Sequence, residues 1–180
     1  MIFGEISTQM TVTPIIHDVN HEIAKTLSFD NCLAVGTSDG EILILEVLKS
    51  IINCKKFFHA HEDAILEFEK SEDIIVSLAL DKKLKIWSHD WTLISDISLP
   101  NFITRLAIAP FTGAIAAINN NSTICIWTKE GKLAHVCQTD KNFSNLVWKP
   151  SGDILVIVGD NFDLCIFDFL GSAVINPFFT

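Results

Sequence analysis

The sequence predicts an all-β protein: about four four-stranded antiparallel blades of a β-propeller, together forming part of a ring. Three observations carry this. A short apolar stretch ending in a large side chain recurs four times, with Leu45, Trp87, Trp127 and Phe167 at near-constant intervals of about 40 residues. A turn former, Asp39, Asp81, Asn121 or Asn161, stands six residues before each of them. Apolar residues in the stretches recur at a period of two, and turn formers interrupt every run within about eight residues, which excludes helix.

Taken in order, residues 1–16 read as a lead-in, with Phe3 to Val12 as a strand. The repeats then divide as 17–58, 59–98, 99–140 and 141–180. The first strand of each carries apolar residues two apart: Leu27 and Phe29, Leu66 and Phe68, Leu106 and Ile108, Leu146 and Trp148. A short link follows, clearest at Pro110-Phe111-Thr112-Gly113 and Pro150-Ser151-Gly152-Asp153, and shortest at Asp30-Asn31. The second strands are the stretches Cys32 to Val35, Ile74 to Leu80, Ala114 to Ile118 and Ile154 to Val158. The Asp or Asn turn leads into the third strand, since these side chains tolerate tight-turn geometry and bond locally. A weaker fourth stretch closes each repeat: Ile51 to Phe58, Leu93 to Ile97, Leu133 to Cys137 and Ala173 to Phe178. Regular short strands in units of about 40 residues select the propeller over a sandwich or barrel.

Composition narrows the function. Of 180 residues, 49% are hydrophobic and the formal net charge is −9. That balance excludes disorder and argues against a nucleic-acid partner, because phosphate binding needs a basic stripe. The lysines at 55–56 and 82–85 read as solvated positions on edges or turns. No apolar run reaches the roughly 18–20 residues of a membrane helix, so no membrane insertion is expected. Met1-Ile2-Phe3-Gly4-Glu5 does not resemble a secretory leader, so an intracellular setting is expected, cytoplasmic with the nucleus as the alternative. The five cysteines contain no C-x-x-C and fit neither a disulfide framework nor a zinc site.

At this point the residues resemble the WD40 repeat family. His61 stands upstream of Trp87 where the family has the His of its Gly-His pair, although Ala60 replaces the Gly. Asp81 takes the place of the family's turn aspartate and Ser77 lies in the strand between. Trp87-Ser88, Trp127-Thr128 and Phe167-Asp168 each keep half of the Trp-Asp signature. The resemblance covers about residues 17–176, and only the second unit carries the full set. Asn101 and Lys141 stand at the His position of the third and fourth units. The resemblance implies a hydrogen-bonded structural tetrad of His61, Ser77, Asp81 and Trp87, with Asp39, Trp127 and Phe167 as anchors of the other repeats.

It also implies a non-enzymatic scaffold that binds other proteins, with no cofactor. The positions two after the His position, Asp63, Ile103 and Phe143, fall on the rim that contacts partners in the family. The apolar residues there read equally as interface anchors or as core. Three sharper readings carry less weight. Ser77, His61 and Asp81 have triad residue types, but no G-x-S-x-G elbow is present. His59 and His61 share one face but lack a third metal ligand at familiar spacing. Glu67, Glu69, Glu72 and Asp73 read as a solvated edge beside a turn. The main alternative is a propeller-based enzyme with acidic residues at the central channel. An open array leaves a hydrophobic blade face and a free sheet edge. That leaves three readings, in this order: the chain is a segment of a longer propeller, it completes a ring by self-association with another copy or with a partner chain, or it closes a small four-blade ring with Phe3 to Val12 pairing onto the last blade.

Overall fold

The first three strands of each blade carry the buried strand residues, while the outer strands of the second and third blades, Leu93–Ser98 and Leu133–Gln138, are exposed or half-buried throughout. The computed structural model describes residues 22–48, 51–138, 142–159, 164–168 and 173–175. Among the described residues, sixteen strands make four sheets. The first blade runs β1 (Ile23–Phe29), β2 (Cys32–Thr37), β3 (Glu41–Leu48) and β4 (Ile51–His59). The second runs β5 (Ile65–Lys70), β6 (Ile74–Ala79), β7 (Lys83–Ser88) and β8 (Leu93–Ser98). The third is β9 (Ile103–Ile108), β10 (Ile115–Asn119), β11 (Thr123–Trp127) and β12 (Leu133–Gln138). The fourth is β13 (Phe143–Trp148), β14 (Ile154–Gly159), β15 (Leu164–Asp168) and β16 (Ala173–Ile175). All neighbours are antiparallel and follow chain order. The expected strand Phe3 to Val12, Lys141 and Asn161 lie outside the described residues.

The turns before the third strands are held by side chains. In the second blade, Oδ1 of Asp81 accepts from the backbone N–H of Lys83 at 2.9 Å. In the first and third the local acceptor stands two residues earlier than the expected one. Thr37 Oγ1 accepts from the N–H of Asp39 and Glu41, and Asn119 Oδ1 from those of Asn121 and Thr123. Gly40 closes the first of these turns at φ +78, a conformation glycine adopts without a Cβ penalty.

Blades stack through their recurring large side chains. Trp87, Phe68 and Ile75 pack with Ala34, Ile42 and Ile44 of the first blade. Trp127, Leu106 and Ile115 pack with Val76, Leu84 and Ile86 of the second. Phe167, Trp148 and Leu155 pack with Ala116, Ile124 and Ile126 of the third. Each anchor therefore faces the preceding blade, and apolar burial at about 25 cal/mol per Å² is the main cohesive term at each joint. Leu45, the smaller counterpart, joins Val35 and Leu43 in a separate buried cluster on the matching face of the first blade.

The joint between the first two blades has an addition that the repeat does not announce. Trp91, in the turn between β7 and β8, is buried with φ 64, a left-handed conformation costing about 1–3 kcal/mol for a bulky residue. Its ring meets those of Phe29, Phe58, Phe68 and Trp87. Lys56 Nζ on β4 donates to the carbonyls of Asp90 and Trp91 at 3.1 and 3.0 Å, holding the turn against the first blade. No helix among the described residues is long and apolar enough to cross a membrane.

Candidate functional site

The four residues of the second blade that resemble the structural tetrad lie in contact. His61, between β4 and β5, is buried against the sheet, and its Nδ1 lies 2.9 Å from Oδ2 of Asp81. Its Nε2 lies 2.7 Å from Oγ of Ser77, which also accepts from Trp87 Nε1 at 2.8 Å. One assignment satisfies all three contacts. Nδ1–H donates to the Asp81 carboxylate, the Ser77 hydroxyl donates to Nε2, and the Trp87 indole N–H donates to Ser77. Asp81 Oδ2 also accepts from the backbone N–H of Glu62 at 3.1 Å, so the carboxylate ties the loop before β5 to the turn before β7.

The arrangement is that of a clamp. The Ser77 hydroxyl is buried between an indole and an imidazole, on a fully buried strand. Burial lowers the His61 pKa below its ordinary 6.5, against the opposing pull of Asp81. Burial would raise Asp81, but the backbone N–H groups of Lys83 and Glu62, with His61, hold its carboxyl below the usual range. Imidazole is therefore neutral at pH 7 and donates to an ionised carboxylate.

Two predictions arise here. Ser77→Ala leaves the imidazole Nε2 and the indole N–H buried without partners, at about 1–3 kcal/mol for an orphaned group. A thermal melt should show a loss in that range, and an unchanged Tm contradicts the network. The depressed His61 pKa also makes the unfolded chain bind more protons than the folded one just below pH 6.5. Stability should therefore be full above that pH and fall as pH drops through it. Denaturation midpoints between pH 8 and pH 5 check this; a His61→Gln variant should show a flatter profile over that interval.

Equivalent positions elsewhere are only partly filled. Asn121 Nδ2 donates to Asn101 Oδ1 at 3.4 Å, a weaker version of the Asp81–His61 contact. Asp39 lies in the turn after β2, near the hydroxyl of Ser38 at 3.3 Å. Trp127 and Phe167 are buried at their joints.

The rim residues separate into two kinds. Asp63 is exposed and its Oδ1 accepts from the N–H of Ala64, a loop cap. Ile103 and Phe143 are half-buried: each packs against an interblade cluster and also lines an open cleft. One cleft, of about 300 Å³, lies between the second and third blades against Leu66, Leu78, Ile103 and Leu106. The other, of about 310 Å³, lies between the third and fourth against Asn119, Asn142 and Phe143. Thr104 and Arg105 form the wall they share. Phe102, next to Ile103 in the chain, is 42% exposed, with the Lys82 ammonium 4.8 Å from its ring centroid.

Two readings of charged residues need correction. Of the residues read as a solvated edge beside a turn, Glu72 and Asp73 are exposed, whereas Glu67 and Glu69 are half-buried on β5, the edge strand at the inner end of the second blade. Burial, then the neighbouring Glu67, raises the Glu69 pKa. Lys85 is not merely solvated, since Nζ donates to the Ala60 carbonyl at 2.7 Å, beside the tetrad loop. Among the described residues no group of three or more His, Cys, Asp or Glu is placed to hold a metal.

No protein-family profile matches the sequence, and no curated protein matches it. Comparison of folds gives 1218 matching chains among solved structures. One belongs to the "Crystal Structure of Mitotic Checkpoint Complex", with a TM-score of 0.68 at 12% identity. The match covers 85% of this chain and 52% of that one, so the chain spans about half the length of that neighbour. The likeness is one of fold, a WD40-like β-propeller.

Proposed function

We propose that the protein is a non-enzymatic scaffold whose rim, at the ends of the inner strands, binds other proteins in a multiprotein assembly. The observation that carries this is the pair of clefts flanking β9, with Ile103 and Phe143 lining them and exposed Phe102 preceding Ile103 in the chain. Apolar side chains next to open concavities are what a partner's anchors fill. The fold neighbour's place in a multiprotein complex supports the same reading. The reading extends to an intracellular protein of the cytoplasm or nucleus, with no cofactor. The enzyme alternative has less behind it: Glu67 is the sole carboxylate lining the two clefts, and Lys25 neutralises it at 2.6 Å. A photo-crosslinking residue at Phe102 should give discrete protein adducts in cells, while one at exposed Phe111, on the link between β9 and β10, should not. Adducts at neither position would remove the reading.

A second reading, completion of the array by another chain or a second copy, rests on the last blade. Val76, Leu78, Leu84 and Ile86 are buried on the face that receives the third blade. By register their counterparts on the fourth blade are Val156, Val158, Leu164 and Ile166. There Val158 is 41% exposed, Val147, the cross-strand partner of Val156, 56%, and the other three are half-buried. An apolar sheet face of this kind is a contact surface or an aggregation liability. Solution mass against concentration tests it: association that Val158→Asp abolishes supports completion, and a monomer at all concentrations removes the second-copy form.

A further inference from the structure

One residue per blade stands at the same level of the inner strands. Lys25, Glu67, Arg105 and Asn145 pair across the sheet with Gly36, Leu78, Ile118 and Val158, which themselves recur at about 40 residues, once per repeat. The charges along this row run positive, negative, positive, neutral. Lys25 Nζ reaches across the first joint to Oε1 of Glu67 at 2.6 Å, so these two cancel. Asn145 is uncharged, and its Oδ1 accepts from the N–H of Leu146.

Arg105 is left over. It is the sole arginine of a chain with net charge −9. Among the described residues no carboxylate forms an ion pair with it. Its Nε donates to the Ser144 carbonyl at 2.8 Å and its Nη1 to that of Thr104 at 2.6 Å. Both acceptors are neutral, so they orient the guanidinium without cancelling its charge. A guanidinium has five N–H donors in a planar fork, so donors remain for a ligand. The surroundings differ on its two sides. Toward the second blade the cleft is walled by Leu66, Leu78, Ile103 and Leu106, together with Glu67, whose carboxylate is already paired with Lys25. Toward the fourth it is walled mostly by amides and hydroxyls, among them Asn120, Ser122 and Ser144, with Ile118 and Phe143 as its apolar members.

We propose that Arg105 binds the carboxylate side chain of an extended acidic peptide segment from a partner protein. A large apolar side chain nearby in that segment enters the cleft beside Leu66 and Ile103. This rests on the reading of the rim as a protein-contact surface and names the chemistry of the partner. A carboxylate meets the guanidinium fork with charge-assisted hydrogen bonds, the stronger class. The chain's overall negative charge opposes an acidic ligand only at long range, because charges beyond about 8 Å are largely screened at physiological salt. At contact Arg105 dominates, and binding weakens as salt rises.

Selection of random 12-residue peptides displayed on phage against the full chain tests this. Enriched peptides should carry Asp or Glu within three positions of a Leu, Ile, Phe or Met. The leading peptide, made synthetically, should bind about tenfold more weakly to Arg105→Gln, a 1.4 kcal/mol change. Replacing its acid by the amide should cost the wild type a similar factor and the Arg105→Gln variant little more. An unchanged Tm shows that the exposed substitution leaves the fold intact. No enrichment, enrichment without acidic residues, or equal binding by Arg105→Gln overturns the proposal. Phe102 adducts that persist in Arg105→Gln would leave the rim reading standing while this one falls.

Discussion

Trp127→Ala is expected to destabilise the protein by about 3–5 kcal/mol, the range for truncating a large buried aromatic. Trp127 ends β11 and is buried in the joint where the third blade meets Val76, Leu84 and Ile86. Alanine removes the transfer free energy of the indole and leaves a cavity between two sheets. Sheets cannot collapse into that space without shifting their own hydrogen-bonded ladders, so relaxation recovers little. Chemical denaturation of the variant checks this. A loss under about 1 kcal/mol would show that the side chain does not hold the blades together.

Gly40→Ala should cost about 2–4 kcal/mol, from left-handed strain and overpacking together. Gly40 adopts φ +78, and a Cβ there would lie 1.9 Å from the His61 carbonyl oxygen. The same glycine's carbonyl accepts from the N–H groups of Ala60 and His61, both at 2.9 Å. The contact is backbone on backbone, with no flexible side chain to move aside. Relief requires displacing the loop that carries His61, and so disturbing the Asp81 and Ser77 contacts. The loss should therefore appear in the melt together with a weakened pH dependence near pH 6. A Gly40→Ala protein as stable as the wild type would contradict the close approach.

The strands and the anchors were legible because they are local and repeated. Alternation at two residues marks a sheet wherever one face is buried, and a phase-locked Trp or Phe gives the period. His61, Ser77, Asp81 and Trp87 were legible only through a family resemblance, since two whole strands, β5 and β6, separate the first from the last. What stayed hidden is set between blades. Nothing local to Glu67 says that it meets Lys25 of another sheet, and so the glutamates of β5 looked like a solvated edge. Arg105 lies in an ordinary alternating strand, and its lack of an acidic partner among the described residues appears only when the inner strands stand side by side. Trp91 follows His89-Asp90, a polar turn, and a tryptophan there with positive φ runs against local preference. Its burial comes from Phe29 and Phe58, which arrive from the neighbouring blade. Ile103 and Phe143 read equally as core or as interface because each is packed on one side and open on the other.

The central claim is that four equivalent sheets stack so that each large third-strand side chain packs on the blade before it. Nuclear Overhauser contacts from the rings of Trp87, Trp127 and Phe167 test it most directly. The structure predicts one repeating pattern, with methyl contacts to Ile42 and Ile44, to Val76 and Ile86, and to Ile124 and Ile126 respectively. Contacts confined to each ring's own sheet, or three unrelated sets of neighbours, would contradict it.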